Sequence, residues 1–233
     1  MQTLLATPRT SVRPVQPLKI VALGDSLIYG FGDPVGGGWV ERMRRLWMTP
    51  DGLGHAVYNL GIRGDGVKQL AHRLESEFRN RGELRNRLPD LMILSVGVND
   101  SARLNRPNGR NFTDFAVFQQ ELDLLLDRAT QLCPVLFVGM VPVIESSMPF
   151  LDCLHYNHAD QFRYMRATKL ACQERQIPYL DILSQWLNKG DTWCRERMLE
   201  DGLHPNVLGY QTLLEDILRW QPLVEKVSQM VIQ

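Results

Sequence analysis

The sequence lacks any apolar run that approaches the roughly 20 residues needed to cross a lipid bilayer. Lys plus Arg equals Asp plus Glu, with 26 of each, so no charge excess indicates a nucleic acid or another polyanion as a partner. The first residues contain no basic segment, no long apolar segment and no small-residue cleavage site. We therefore expect a cytoplasmic protein that is not stably inserted in a membrane. The oligomeric state is not readable from the sequence.

Cysteines and candidate metal ligands are also scarce. Four cysteines lie at scattered positions without a CxxC pair, and we interpret them as small apolar residues or incidental thiols (Cys133, Cys153, Cys172 and Cys194). His155 and His158 lie near two aspartates, an arrangement that can ligate a metal on a helix. No third ligand follows at a convincing spacing. We therefore predict neither a metal nor a cofactor.

Five short apolar runs alternate with longer amphipathic segments along the chain of 233 residues. The runs cover residues 18–24, 56–61, 90–97, 135–141 and 177–182. They are nearly continuous in Val, Ile and Leu, which is typical of parallel strands that helices cover on both faces. The sequence therefore predicts a three-layer α/β/α sandwich with a five-stranded parallel sheet. We expect residues 1–17 to form a flexible N-terminal arm and residues 18–233 to form a single domain.

The segments between the runs have the three- and four-residue apolar spacing of amphipathic helices. We predict helices over 38–48, 66–78, 114–131, 160–176 and 206–220. Thr113 and Asp114 are both candidate caps for the third of these helices. Ligands of open α/β sheets bind beyond the carboxyl ends of the strands, so the informative residues should directly follow the apolar runs.

A serine, Ser26, directly follows the first run and Gly24-Asp25. At such a strand-to-helix turn it is either the cap of a helix or a hydroxyl offered to a ligand. A hydroxyl is a poor nucleophile unless a base lies beside it. Among the five histidines, His204 is the best candidate base, because it follows Asp201 by three residues in a turn before the last predicted helix. An aspartate at this spacing can reach the imidazole and fix its tautomer.

Two further strand ends carry groups that suit an oxyanion hole. Asn99 ends the third run in "GVND", where it is either a turn residue or an amide donor. The stretch "NLGIRGDG" after the second run contains three glycines, which either form a tight turn or let backbone N–H groups approach a ligand closely.

These stretches resemble a known family. "GDSL" at 24–27, "NLGIRGD" at 59–65, "GVND" at 97–100 and "DGLH" at 201–204 follow the order and approximate spacing of the four sequence blocks of the GDSL, or SGNH, hydrolases. The resemblance extends from about residue 18 to residue 215, and its second block is the loosest. It implies a flavodoxin-like SGNH hydrolase fold and a serine esterase or lipase that cleaves carboxylic esters through an acyl-enzyme, without a cofactor.

The resemblance also implies roles for single residues. Ser26 would be the nucleophile, His204 the general base and Asp201 the acid that orients it. The oxyanion hole would consist of the N–H groups of Ser26 and Gly64 and the side-chain amide of Asn99.

Three other aspartates leave alternatives open. Asp181, at the end of the fifth run, rivals Asp201 as the acid of the triad. Asp25 either braces the turn through hydrogen bonds to the backbone or tunes the site, and Asp100 has the same two interpretations.

The loops after the third and fourth runs are the candidate specificity elements. The apolar loop over 142–160 is either a binding wall or a lid packed on the body, and we predict that Met148, Phe150 and, farther along the chain, Trp193 contact the substrate. Trp186 and Trp193 can equally be core residues. Arg103, Arg106 and Arg110 either meet an anionic substrate or lie in a solvated loop.

We expect a small-molecule ester of short to medium acyl chain as the substrate. A carbohydrate O-deacetylase, a thioesterase or a lysophospholipase is the alternative on the same site. A non-catalytic ligand-binding α/β domain is the alternative of another class.

Overall fold

Five parallel strands form the central sheet of the computed structural model, which describes residues 17–48, 54–81 and 87–229. The strands of the protein are β1 (Lys19–Gly24), β2 (Ala56–Gly61), β3 (Leu91–Ser95), β4 (Arg103–Leu104), β5 (Val135–Val138), β6 (Leu154–His155) and β7 (Tyr179–Leu180). The sheet has the order β2-β1-β3-β5-β7. Strands β4 and β6 form a separate antiparallel pair.

The carboxyl ends of the three strands on one side of the sheet lie level with one another. Gly24 at the end of β1 is paired with Gly61 of β2 on one side and with Ser95 of β3 on the other. A Cβ atom on Gly24 would lie 1.9 Å from the carbonyl oxygen of Ser95, so only glycine allows this approach. The loops after β1, β2 and β3 therefore begin at a single edge of the sheet.

Helices cover both faces of the sheet. They are α1 (Ser26–Tyr29), α2 (Gly38–Trp47), α3 (Val67–Arg79), α4 (Val98–Ser101), α5 (Phe115–Leu132), α6 (His158–Glu174), α7 (Ile182–Leu187), α8 (Asp191–Arg195), α9 (Val207–Arg219) and α10 (Gln221–Gln229). A 3₁₀ turn spans Glu145–Ser147.

Two apolar clusters lie on opposite faces of the sheet, because successive side chains of a strand point to opposite faces. Val21 and Leu23 of β1 pack in the first cluster with α3, α5 and α6, whereas Ile20 and Ala22 pack in the second with α2, α9 and α10. All four side chains are fully buried. This double burial explains the continuous apolar runs and agrees with the predicted three layers.

Strand β2 covers its whole predicted run, 56–61, whereas the other four strands of the sheet are shorter than the apolar runs that predicted them. Strand β3 covers 91–95, whereas the predicted run covers 90–97. Strand β5 covers 135–138 rather than 135–141, and β7 covers 179–180 rather than 177–182. Val96, Met140 and Val141 are still buried beyond the last ladder hydrogen bonds. An apolar run indicates which residues are buried, not which residues pair in the sheet. At this edge the buried residues continue into the loops beyond the ends of the strands.

Two helix starts are decided by side-chain caps. Asp114 caps α5 by accepting hydrogen bonds from the N–H groups of Ala116 and Val117, whereas the Thr113 hydroxyl donates to Asp100. Helix α6 begins at 158 rather than 160, because the Asn157 side chain caps it. The short helices α1, α4, α7 and α8, the pair β4–β6 and the helix α10 are not predicted by the sequence patterns.

Several predictions concern features beyond the sheet. The predicted N-terminal arm lies outside the described residues except for Pro17, and the single domain over 18–233 stays a prediction. The four cysteines are free thiols, and Cys172 and Cys194 are buried as expected, whereas Cys133 and Cys153 are partly exposed. Within 17–48, 54–81 and 87–229, no helix combines the length and the apolar character required to cross a membrane.

Candidate active site

Ser26 begins helix α1 directly after β1 and Asp25. The Asp25 carboxylate is the helix cap, since its Oδ1 accepts a hydrogen bond of 2.9 Å from the N–H of Leu27. The hydroxyl of Ser26 is therefore not used as the cap. It instead lies 3.0 Å from Nε2 of His204, a residue 178 positions farther along the chain.

The turn after α8 holds His204 in one orientation. Nδ1 of His204 lies 2.7 Å from Oδ2 of Asp201, and Oδ1 of Asp201 accepts hydrogen bonds from the backbone N–H groups of Leu203 and His204. With the proton on Nδ1, Nε2 is free to accept the proton of the Ser26 hydroxyl. Burial alone would raise the pKa of Asp201, but the hydrogen bonds from His204 and the two backbone N–H groups hold it below its usual value.

Asp181 has a structural position away from this turn. Its carboxylate caps α7 by accepting from the N–H of Ser184 and forms an ion pair of 3.0 Å with Nζ of Lys169. The geometry therefore favours Asp201 over Asp181 as the partner of His204.

Two aromatic rings enclose the imidazole. Phe31, in the loop after α1, and Phe150, in the loop after β5, both contact His204 edge to face, with ring centroids at 4.6 and 5.6 Å. Only 3% of His204 is exposed. Such rings limit the access of water to the imidazole, which strengthens its polar interactions.

The candidate oxyanion donors belong to loops at the same sheet edge. The Asn99 amide donates one N–H to the carbonyl of Asp65 at 2.9 Å, and its Oδ1 accepts from the Tyr156 hydroxyl at 3.3 Å. These two bonds orient the amide and leave its second N–H for a ligand. The Asp65 carbonyl belongs to the residue after Gly64, so Asn99 is tied to the glycine loop.

Gly64 and Ser26 offer backbone N–H groups. Gly64 has a φ of +85°, and a Cβ there would meet nothing within 4 Å, so the backbone conformation rather than the space requires glycine. Among the described residues, no hydrogen bond occupies the Gly64 N–H. The Ser26 N–H is the first of helix α1, where a helix has no internal acceptor.

Arg73 of α3 connects the ends of β1 and β2 to the glycine loop. Its guanidinium donates to the carbonyls of Gly24 and Leu60, both at 2.8 Å, and to the Asp65 carboxylate at 2.7 Å. The sequence pattern did not identify Arg73, and it placed Tyr156 in the candidate specificity loop over 142–160 without indicating its bond to Asn99. Both residues act through partners that are distant in the chain.

Asp25, which directly precedes the candidate nucleophile, and Asp100, in α4, are both fully buried. Oδ2 of Asp25 has no hydrogen-bond partner, and burial raises the pKa of this carboxyl to about 7, with further contributions from the charges of Asp100 and Asp65. Burial also raises the pKa of Asp100, whose carboxylate accepts from the N–H of Val67 and the hydroxyl of Thr113. Both aspartates thus brace loops, and Asp25 in addition carries an unpaired oxygen.

The predicted substrate contacts lie in different places. Phe150 touches His204, and Met148 packs against the first apolar cluster. Trp193 packs in the second cluster, against the ring of Trp186 and under the guanidinium of Arg197 at 3.7 Å. The structure therefore does not bring Trp193 into contact with the triad.

The arginines of the loop after β3 divide into two kinds. Arg103 forms a two-pronged ion pair with the buried Asp160, whereas Arg106 and Arg110 are exposed. Arg103 is therefore a structural residue, and the geometry favours a solvated loop for the other two.

The two histidines considered as metal ligands have other surroundings. Nε2 of His158 lies 2.9 Å from the carbonyl of Val143, and His155 pairs with Arg103 between β6 and β4. Across the described ranges, no group of three or more His, Cys, Asp or Glu side chains is arranged to hold a metal ion.

The comparison with known families agrees with this geometry. A model of the GDSL-like Lipase/Acylhydrolase family matches residues 22–212, which is most of the chain. The chain belongs to the GDSL-like lipase/acylhydrolase family. The prediction of a carboxylic ester hydrolase of the GDSL type is thereby confirmed, and the non-catalytic ligand-binding alternative loses its support. A comparison with curated protein sequences finds no match.

Solved structures of similar fold include a lipase/acylhydrolase from Enterococcus faecalis, with 22% identity, coverage of 90% of this chain and 95% of that chain, and a TM-score of 0.66. A catalytic mutant of Axe2, an acetylxylan esterase from Geobacillus stearothermophilus, has 18% identity, coverage of 87% and 93%, and a TM-score of 0.64. LAE5, an alpha/beta hydrolase from the metagenome of Lake Arreo, Spain, has 17% identity, coverage of 86% and 93%, and a TM-score of 0.65. These likenesses confirm the predicted fold.

Proposed function

We propose that this GDSL-family hydrolase cleaves small carboxylic esters of short to medium acyl chain through an acyl-enzyme on Ser26. The observation that carries the proposal is the continuous hydrogen-bonded chain from Ser26 through His204 to Asp201, with distances of 3.0 and 2.7 Å. A serine hydroxyl becomes nucleophilic when a base of this kind takes its proton. Catalytic mutants of Axe2 replace a serine, an aspartate and a histidine, which agrees with a triad of these residue types.

The first half of the reaction forms the acyl-enzyme. Nε2 of His204 takes the hydroxyl proton as Oγ of Ser26 attacks the ester carbonyl, and the charge that develops on the imidazole is balanced by Asp201. The carbonyl oxygen becomes an oxyanion within reach of preorganised N–H donors, for which we propose Asn99, Gly64 and Ser26. His204 then gives its proton to the alcohol oxygen, and the alcohol leaves.

The second half releases the acid. Water takes the place of the alcohol, His204 removes its proton, and the resulting hydroxide attacks the acyl carbonyl. The tetrahedral intermediate uses the same donors and collapses as Ser26 Oγ takes back the proton. The same groups thus serve both halves of the reaction. Nε2 of His204 can exchange protons with Ser26, the alcohol and water in turn, because Asp201 holds only the other ring nitrogen, Nδ1.

The apolar surroundings support a modest acyl chain. Phe150 and Met148, in the loop after β5, both pack on the first apolar cluster, and Phe150 also borders the site through its contact with His204. A deacetylase acting on O-acetylated carbohydrates is the second candidate, because an acetylxylan esterase is among the proteins of similar fold.

The test is hydrolysis of p-nitrophenyl esters from acetyl to dodecanoyl beside an acetylated xylo-oligosaccharide. We expect the highest kcat/KM at short to medium chain length and loss of turnover in Ser26→Ala. Ser228→Ala, which makes the same change on an exposed residue of α10, is the matched control and should keep the full rate. Retained hydrolysis by Ser26→Ala would refute the proposed nucleophile, and a preference for the oligosaccharide would favour the deacetylase.

A further inference from the structure

Arg63 is a charged side chain beside the proposed active site that the mechanism above does not use. It directly precedes Gly64 in the loop after β2, and it is exposed. Its guanidinium carbon lies 3.8 Å from the ring centroid of Phe31. Phe31 in turn contacts His204 edge to face. A single aromatic ring therefore separates this cation from the proposed general base.

The charge of Arg63 is not neutralised by the protein. Other arginines of this structure form ion pairs with carboxylates, for example Arg42 with Asp33 and Arg73 with Asp65. Arg63 forms no ion pair or hydrogen bond among residues 17–48, 54–81 and 87–229. The Asp65 carboxylate two residues away is instead held by Arg73. A guanidinium stacked on an aromatic face keeps its N–H edges directed outward, where they suit a carboxylate or a phosphate.

We propose that Arg63 is a specificity-determining residue that binds a negatively charged group on the alcohol portion of the ester. The position of His204 decides which portion is meant. The imidazole delivers its proton to the leaving oxygen, so the alcohol lies on the side of His204 during the reaction. Phe31 and Arg63 extend from that side. The inference rests on the proposed function and names a substrate class for it: esters of alcohols that carry a carboxylate or a phosphate.

The neighbouring arginines do not offer the same binding site. Arg103 is already paired with Asp160, and no contact connects Arg106 or Arg110 with the rings around His204 in the described part of the chain. Among these arginines of the described chain, Arg63 combines a contact to the enclosing ring Phe31 with a charge that no carboxylate neutralises.

The experiment compares two acetyl esters that share one ring and differ in charge, 4-acetoxybenzoate and 4-acetoxybenzamide. The quantity to compare is the ratio of kcat/KM for the benzoate to kcat/KM for the benzamide. Arg63→Gln should lower this ratio about fivefold, which is the effect of losing an exposed charge pair of about 1 kcal/mol. Raising the salt concentration to about 1 M should remove the preference of the unmodified protein, since the screening length falls to ~3 Å. Arg63→Lys keeps the charge and should keep part of the preference.

Three further arms decide the assignment. Arg219→Gln removes an exposed arginine of α9, and it should change neither ester. The p-nitrophenyl monoester of succinate places the charge on the acyl side, and Arg63→Gln should affect it less than it affects 4-acetoxybenzoate. An acetate ester of a phosphorylated phenol separates phosphate from carboxylate as the preferred anion.

Binding in the Ser26→Ala background separates this inference from the proposed function. By calorimetry, Ser26→Ala should bind 4-acetoxybenzoate more tightly than 4-acetoxybenzamide, and adding Arg63→Gln should abolish the difference. Equal losses for both esters, or equal binding of both, would overturn the assignment of Arg63 and leave the hydrolase standing. A charge preference in binding without Ser26-dependent hydrolysis would overturn the proposed function alone.

Discussion

The stability of an Asp25→Asn variant, measured relative to the unmodified protein, should increase as the pH rises from about 4 to 7. Oδ1 of Asp25 accepts from the N–H of Leu27, which an amide oxygen reproduces, whereas Oδ2 is buried without a partner. Burial raises the pKa of this carboxyl from 3.8 to about 7. The folded protein therefore holds a proton that the unfolded chain has already lost.

The sign and size of the effect follow from this difference in bound protons. Below pH 3.8 both states are protonated, and Asp25 contributes nothing to the pH dependence. Between pH 3.8 and about 7 only the folded state keeps the proton, so the free energy of unfolding falls by about 1.4 kcal/mol per pH unit, or about 4 kcal/mol in total. Above about pH 7 both states are ionised and the loss is constant. Asparagine does not titrate, so the variant avoids this loss.

The assay is urea unfolding of both proteins at intervals from pH 4 to pH 8, followed by tryptophan fluorescence. The asparagine Nδ2 is itself buried without a partner and adds a constant cost, so the pH dependence of the difference is the quantity to compare. Ser228→Ala changes an exposed residue of α10 that carries no titratable group, and it should leave the profile parallel to that of the unmodified protein. A difference between Asp25→Asn and the unmodified protein that stays flat from pH 4 to pH 8 would refute the reasoning.

Other expected outcomes concern the rate of ester hydrolysis. Asn99→Ala should lower kcat by about 10²–10³, the effect of removing one oxyanion donor, with little change in KM. It should also lower the stability by about 1–3 kcal/mol, because the Asp65 carbonyl and the Tyr156 hydroxyl lose their partner. Tyr156→Phe should lower kcat by about fivefold in the same assay, because the Asn99 amide loses one neutral hydrogen bond of ~1 kcal/mol that orients it. An unchanged kcat would show that Tyr156 does not support the oxyanion hole. Asp201→Asn should lower kcat by about 10⁴, since the amide favours the wrong tautomer of His204. Asp181→Asn should keep the rate and lower the stability by no more than about 1 kcal/mol, because the amide oxygen keeps the helix cap and only the ion pair with Lys169 is lost; the reverse pattern for the two aspartates would exchange their roles.

The fold could be predicted from the sequence to the extent that burial determines it. Strands buried on both faces, such as β1 and β3, are nearly continuous in apolar residues, and their positions were predicted closely. Strand β7 was predicted at three times its length, because Ile177 and Ile182 are buried in the clusters outside the ladder. Short helices such as α4 begin from glycine conformations rather than from an amphipathic pattern, so periodicity misses them.

The residues of the candidate site could be predicted where a reactive or polar side chain follows a strand or lies a few residues from its partner in the chain. Ser26 and Asn99 directly follow strands at one edge of the sheet, and Asp201 lies three residues before His204, so local spacing identified them. Tyr156 reaches Asn99 across 57 residues.

Residues that act across such a distance leave no local pattern. Arg73 reaches Gly24 across 49 residues, and Phe31 and Arg63 meet only through folding. Trp193 shows the opposite error, since its place in the chain suggested the pocket whereas its ring packs against Trp186.

The most direct test of the account is covalent labelling with a fluorophosphonate, followed by mass spectrometry of the peptides. The account predicts one adduct, on Ser26, that is absent in Ser26→Ala and forms far more slowly in His204→Ala, because the imidazole must take the hydroxyl proton. An adduct on another residue, no adduct in the unmodified protein, or an equal labelling rate without the imidazole would contradict it.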